Sequence, residues 1–146
     1  MSSPESVVIA LGSNIGDRRR NLLRAIEEIR RVITVVRVSS IHETDPVDAP
    51  THSPQFLNMV IAGYTTLTPE KLLAGLHDIE RRLGRMRGAR NAPRTIDLDL
   101  ILQSANLRNT RELTLPHPRY RERDFVMIPL RELRLGWRDP VSGLTL

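Results

Sequence analysis

Asp97 and Asp99 stand two residues apart within Pro93-Arg94-Thr95-Ile96-Asp97-Leu98-Asp99-Leu100-Ile101-Leu102, where Ile96, Leu98, Leu100 and Leu102 take every second place. Such alternation describes a half-buried strand, whose successive side chains point to opposite faces. Thr95, Asp97, Asp99 and Ile101 then share one face, with the carboxylates side by side. Like charges this close repel, and each raises the other's pKa unless a cation lies between them. A hard cation such as Mg²⁺ suits the pair, because it is held by one or two carboxylates and completes its shell with water and substrate phosphates. For an isolated Asp-x-Asp the plainer alternative is a solvent-facing pair on an edge strand.

The neighbours of the pair argue for phosphate. Arg85, Arg87, Arg90 and Arg94 lie in the polar stretch that runs directly into the strand. Arginine forks beside a metal-binding acid pair suit a polyphosphate, whose charge both neutralise; a solvated basic loop paired with the acids is the competing reading. A second group is Thr44, at a strand end, with Phe56 and Asn58, which share a strand face. An aromatic plate beside an amide suits a flat heterocycle, although core packing and a turn bond would use the same residues. In the third group, His117 is pinned between Pro116 and Pro118, and Arg123 with Phe125 repeats the pattern of cation and aromatic. His42, His52 and His77 have no metal-ligand spacing and read as surface or packing residues. Gly12-Ser13-Asn14-Ile15-Gly16-Asp17 follows a strand and precedes a helix, yet no Gly-Lys-Ser/Thr follows and the dinucleotide glycine spacing is missing. There is no serine elbow and no cysteine nucleophile.

The elements that must position these residues are legible as periods. Val7–Leu11 is an apolar run that reads as a buried strand. Asp17 caps a helix with Leu22, Leu23, Ile26, Ile29 and Ile33 on one side. From Thr34 the period turns to two through about Thr44, a long second strand. Asp45–Gln55 is a proline-bearing loop, and Phe56–Thr66 is a third strand. Thr68 and Pro69 open a helix striped by Leu72, Leu73, Leu76, Ile79 and Leu83, which Gly84 ends. The aspartate strand is the fourth. Strand, helix, strand, strand, helix, strand is the split βαβ order called ferredoxin-like, an α+β fold with a mainly antiparallel sheet, helices on one face, and C-terminal additions. Those additions hold a short strand at Glu112–Leu115, a helix opened by Pro118 that runs toward Arg134 past Pro129, and turns at Asp139-Pro140 and Ser142-Gly143.

At 146 residues the chain is expected to form a single domain, 1–146, with 40% hydrophobic and 27% charged residues. Having no cysteine, it has no disulfide and no thiolate metal site. The start lacks the succession of a signal peptide, and no apolar run has bilayer length, so a cytoplasmic protein without membrane partners is expected. The net charge is +5, and Lys71 is the single lysine among 22 basic residues. That balance admits phosphorylated small molecules or nucleic acid.

Taken together, the segments resemble the 6-hydroxymethyl-7,8-dihydropterin pyrophosphokinases of folate biosynthesis. Leu11-Gly12-Ser13-Asn14 resembles the family's opening motif, and Thr44 with Pro46 and Phe56-Leu57-Asn58 resemble its pterin segments. Pro93 to Asp99 resembles its signature; Leu115-Pro116-His117-Pro118-Arg119 and Glu122-Arg123-Asp124-Phe125-Val126 resemble its last block. The resemblance runs from about Val7 to Leu133 and implies pyrophosphoryl transfer from ATP to the pterin hydroxymethyl group, with AMP released. It implies Asp97 and Asp99 as ligands of two Mg²⁺ ions, and Arg85 and Arg94 among the catalytic groups. ATP would be met by Glu80, Arg85, Arg87, Arg90, Arg94, His117 and Arg123. Thr44, Pro46, Val47 and Asn58 would line the pterin site, with Phe56 and Phe125 sandwiching the ring. A monomer with no nucleic-acid partner is expected. Members often carry Trp where this chain has Asn91, and many continue beyond the position of Leu146 with a further helix, so some edge packing is expected to differ.

Two rivals use the same features. A palm-like nucleotidyltransferase would also place paired aspartates on a ferredoxin-like sheet, but gives no reason for Thr44, Phe56, Asn58 and Phe125. An RNA-recognition module needs exposed aromatics on its central strands, and aromatics are 3% of the chain.

Overall fold

Every position from Val7 to Leu11 is apolar because β1 (Glu5–Ser13) is covered on both faces; its last seven residues are buried. The computed structural model describes residues 3–44, 55–84 and 95–146. The expectations for Pro46, Val47, His52, Arg85, Arg87, Arg90, Asn91 and Arg94 lie outside the described residues. After β1 come α1 (Arg18–Ile29), β2 (Thr34–Val38), β3 (His42–Thr44), β4 (Phe56–Thr65), α2 (Pro69–Arg82) and β5 (Asp97–Gln103). A small ribbon of β6 (Arg108–Asn109) and β7 (Thr114–Leu115), a 3₁₀ turn at Tyr120–Glu122 and α3 (Asp124–Glu132) complete the order. The main sheet runs β2-β4-β1-β5, with β3 also on β4, and all its pairings are antiparallel. This is the ferredoxin-like arrangement with its second strand divided.

The division has a local cause. A continuous strand was expected through Thr44, but Ser39 enters the ladder with its side chain. Its N–H donates to the Val60 carbonyl (2.9 Å), and its hydroxyl accepts from the Val60 N–H (2.9 Å). The hydroxyl takes the place of a carbonyl, so regular pairing stops and resumes at His42.

Both long helices start as their sequences dictate. Asp17 accepts from the Arg20 N–H and Thr68 from the Lys71 N–H, each at 3.2 Å. Gly84, at φ +92°, ends α2 in the left-handed region that favours glycine. A cap contributes about 1 kcal/mol, whereas burying Leu72, Leu76 and Ile79 is worth about 2 kcal/mol each. Packing therefore decides that α2 forms, and capping decides where it begins.

On the first face of the sheet, α1 and α2 pack against Ile9, Leu11, Met59, Ile61, Ile96, Leu98 and Leu100. On the second, Val126, Met127 and Leu130 of α3 pack against Val8, Ala10, Val60, Ala62 and Ile101. The C-terminal additions thus form a third layer. The helix expected from Pro118 begins only at Asp124, and Pro129 sits within it, removing the N–H that would reach the Phe125 carbonyl. Strand alternation also fails at one point. Ile9 pairs with Leu100 and Val8 with Leu102, so Ile101 is the extra residue of a bulge. Leu102 consequently joins Ile101 on the second face instead of following Leu100. At the aspartate end the alternation is intact.

The tail closes on a buried polar knot. The Tyr120 hydroxyl donates to Asp139 Oδ2 (2.5 Å), while Asp139 Oδ1 accepts from the Val141 and Ser142 N–H groups at 2.7 and 2.9 Å. Burial, reinforced by the Asp139 carboxylate, pushes the Tyr120 phenol up to about 12. For Asp139, burial pulls upward, but the bonds from Tyr120, Ser142 and Val141 outweigh it and hold the carboxyl below its ordinary value. No helix among the described residues is long and apolar enough to cross a membrane.

The unfolded chain releases the Tyr120 proton near pH 10, about two units before the native protein does, so stability should fall as pH rises above 10. Denaturant unfolding at pH 9 and pH 11 measures this, and Tyr120→Phe should flatten the slope while lowering neutral-pH stability by about 1–2 kcal/mol.

Candidate active site

The register of three adjacent strands builds the site. Gly12 of β1 lies opposite Asn58 of β4 on one side and opposite Asp97 of β5 on the other; Ala10 lies opposite Asp99. Residues directly opposite share a face, so Asn58, Gly12 and Asp97 form a row on the face that carries α3. Phe56 shares that face, and β3 brings His42 opposite Asn58 and Thr44 opposite Phe56. Asn58 Nδ2 donates to Thr44 Oγ1, which orients the amide. Asn58 is buried, whereas Thr44 and Phe56 are half-buried. The middle of the row favours glycine. A Cβ on Gly12 would stand 3.1 Å from Asn58 Oδ1 and 3.3 Å from Phe56 Cδ1, inside normal contact.

At the other end of the row, Asp97 and Asp99 open onto a cavity of 480 Å³ that is also lined by His117 and Arg123. His117 is anchored through its backbone, whose N–H donates to the Ile101 carbonyl at 2.7 Å. Its Nδ1 accepts from the Arg119 N–H at 3.5 Å, which leaves the ring proton on Nε2. Burial first, and the Arg123 charge second, lower the His117 pKa below 6.5; Asp97 pulls weakly the other way. Burial and the Arg123 charge thus favour the neutral imidazole. Arg123 stands immediately before α3, its guanidinium 5.7 Å from the centre of the Phe125 ring, a cation–π distance. Phe125 packs in part against the second core.

The donor set fits Mg²⁺. The two carboxylates offer hard oxygen ligands on one face at the cavity wall. Among the described residues no group of three or more His, Cys, Asp or Glu is placed to hold a metal. Two protein carboxylates with the remaining positions left to water and phosphate is the pattern of Mg²⁺ sites rather than of a closed protein cage.

Asp97, Asp99, His117 and Arg123 therefore meet at one cavity, and Thr44, Phe56 and Asn58 adjoin it across Gly12. Glu80, expected on the nucleotide side, is set against the backbone of Leu98, itself a residue of the cavity wall. It is buried beneath β5, only 2% exposed, and its Oε2 accepts from the Leu98 N–H at 2.8 Å. Of the arginine-rich stretch only the flanks are described, and these are stitched together. Thr95 Oγ1 donates to the Gly84 carbonyl at 3.4 Å, Ser13 Oγ donates to the Thr95 carbonyl at 2.5 Å, and Asn21 Nδ2 donates to Ser13 Oγ at 3.2 Å. His77, read as a surface or packing residue, lines the cavity with Leu73, Glu112, Leu113 and Thr114. Its signal was its spacing of four from Leu73 on α2, which sets the two on one helix face. His42 instead bonds Glu132 of α3, which also accepts from the Ser40 N–H (3.0 Å).

Residues 8–135 match the family of 7,8-dihydro-6-hydroxymethylpterin-pyrophosphokinase (HPPK). The 2-amino-4-hydroxy-6-hydroxymethyldihydropteridine pyrophosphokinase of Bacillus subtilis is 47% identical over 127 residues, which are 86% of this chain and 75% of that protein. A mitochondrial folate synthesis bifunctional protein of Arabidopsis thaliana is 44% identical over 133 residues, 90% of this chain but 24% of its own length. A crystal structure of Plasmodium falciparum HPPK-DHPS with pteroate shares the fold at a TM-score of 0.75 and 13% identity, covering 99% of this chain and 41% of that one.

Gly12→Ala should leave the chain folded, cost about 1–2 kcal/mol, and shift the Asn58 side-chain amide resonances; unmoved resonances would show that the row tolerates a methyl group. In a proton NMR titration the His117 ring should titrate below 6.5 in the free protein. It should then move upward when Mg²⁺ and triphosphate are added, because the anion offsets Arg123. A titration indifferent to triphosphate would remove His117 from the phosphate-binding group.

Proposed function

Because the chain belongs to the 7,8-dihydro-6-hydroxymethylpterin-pyrophosphokinase family, its reaction is pyrophosphoryl transfer to the hydroxymethyl group of 6-hydroxymethyl-7,8-dihydropterin in folate biosynthesis, and we propose how the row of residues carries it out. The donor is ATP and AMP is the second product. Asp97 and Asp99 would hold two Mg²⁺ ions, which when bound would supply positive charge to neutralise the triphosphate and the departing AMP oxygen. His117 and Arg123 take the phosphate oxygens from the far wall of the cavity. Arg85 and Arg94, with Arg87 and Arg90, supply the remaining positive charge. Thr44, Pro46, Val47 and Asn58 line the pterin site, and Phe56 and Phe125 enclose the ring. Residues 1–146 act as a single catalytic domain, which is supported by the one sheet that both cores share.

The row Asn58–Gly12–Asp97 is the observation that carries this assignment. Adjacent strands lie about 4.8 Å apart, so the heterocycle-binding amide and the first metal-binding carboxylate sit about 10 Å apart across β1. That span seats a ring on one side and a polyphosphate on the other, with the hydroxymethyl arm over Gly12. Transfer of this type asks little covalent chemistry of the protein; its rate comes from in-line placement and charge neutralisation. The Asn58 amide, with both donors and an acceptor, can match the edge of a pterin. Neutral His117 can give its Nε2 proton to a phosphate oxygen as a hydrogen bond without adding repulsion against Arg123.

A coupled assay of AMP formation from ATP and Mg²⁺, with and without the dihydropterin, tests the assignment. AMP should appear only with the pterin and fall at least about a hundredfold in folded Asp97→Ala and Asp99→Ala. Pterin-dependent AMP at an undiminished rate in both variants would move the metal site elsewhere.

A further inference from the structure

We infer that Glu80 is a positioning residue for the acid pair: its buried carboxylate holds the backbone N–H between Asp97 and Asp99 and so sets the spacing of the two side chains. The inference rests on the reading of Asp97 and Asp99 as metal ligands.

A glutamate is among the residues least often buried unless it is paired, and Glu80 is 2% exposed. It lies in the stripe of α2 that otherwise consists of Leu72, Leu76 and Ile79. Packing alone would be served by another leucine. What a leucine cannot do is accept a hydrogen bond, and Glu80 Oε2 takes one from the Leu98 N–H at 2.8 Å.

In an antiparallel ladder, the peptide groups of alternate residues face the partner strand. The Leu98 N–H turns toward Glu80, so the peptide groups of Asp97 and Asp99 are the ones that face β1, opposite Gly12 and Ala10. The pair is thus held from two sides, by β1 at each aspartate and by Glu80 at the residue between them. Further along β5, the His117 N–H bonds the Ile101 carbonyl and performs the corresponding service. A carboxylate accepts more strongly than an amide, which suits a strand carrying two acids that repel each other. Groups that orient metal ligands from behind commonly change metal affinity when lost. Through Leu98, which lines the cavity, the Glu80 carboxylate acts on the strand that carries both acids.

Two substitutions separate this role from a nucleotide contact and from packing. Glu80→Gln retains an oxygen acceptor for the Leu98 N–H; Glu80→Leu fills the space without one. Hydrogen exchange on the metal-free protein should show the Leu98 amide protected in the wild type and in Glu80→Gln, and at least about tenfold less protected in Glu80→Leu. With α,β-methylene-ATP present, Mn²⁺ titration followed by electron paramagnetic resonance should give a half-saturating concentration within about threefold of wild type for Glu80→Gln. For Glu80→Leu it should rise about tenfold or more, while binding of the same nucleotide without divalent metal is unchanged. Wild-type Mn²⁺ dependence in a folded Glu80→Leu overturns the inference and leaves the metal reading intact. Metal-free nucleotide binding lost in Glu80→Gln would mark a direct charge contact and also overturn it. Should Glu80→Leu not fold, a Leu98 amide that exchanges freely in the wild type or in Glu80→Gln does the same. No Mn²⁺ uptake by the wild-type complex defeats the metal reading and this inference together.

Discussion

The site depends on strand register. Asn58, Gly12 and Asp97 belong to three strands, and they share a level and a face only while β4, β1 and β5 keep their present alignment. Side chains alternate with a period of two, so a slip of one residue on β5 would turn Asp97 and Asp99 beneath α2 and expose Leu98 and Leu100. Driving two carboxylates into an apolar layer costs several kcal/mol each, far more than any surface contact can offset. The apolar first face therefore enforces the chemistry of the second, although none of its leucines or isoleucines belongs to the row.

Charge is distributed accordingly. The acids and Arg123 meet at one cavity, with His117 between them kept neutral by burial. At the opposite end, the three residues assigned to the heterocycle, Thr44, Phe56 and Asn58, carry no charge. On the proposed assignment, negative polyphosphate and flat heterocycle are sorted to different ends by the kind of surface each finds. Gly12 keeps the ground between them level, and a side chain there would crowd the Asn58 oxygen and the Phe56 ring.

Much of this could be read before any coordinates. Asp97, Asp99, His117, Arg123, Phe56 and Asn58 are legible because residue type and spacing are local properties, and the helix caps Asp17 and Thr68 fall where expected. What could not be read depends on a partner far away in the chain. Leu102 changes face because β1 and β5 are offset by one residue between Val8 and Ile9, which the pattern of β5 alone does not contain. Ser39 divides a strand by using its hydroxyl as a substitute carbonyl toward Val60. Glu80 was placed on the nucleotide side by the family resemblance alone; its burial against Leu98 is a property of how α2 docks. His77 was passed over because its cavity is formed by β5 and the segment before β7, neither of which its own helix reveals.

The stitch between Gly84 and Thr95 has a bearing on how such chains diversify. Thr95 reaches back to the Gly84 carbonyl and is itself held by Ser13, which Asn21 holds in turn. The anchor points of the intervening residues are therefore fixed by the body of the domain, not by what lies between them. Closing a longer connection over fixed ends adds only about 0.6 kcal/mol for each doubling of its length. A change in the length of that connection can therefore be accommodated while the strand carrying the aspartates keeps its place.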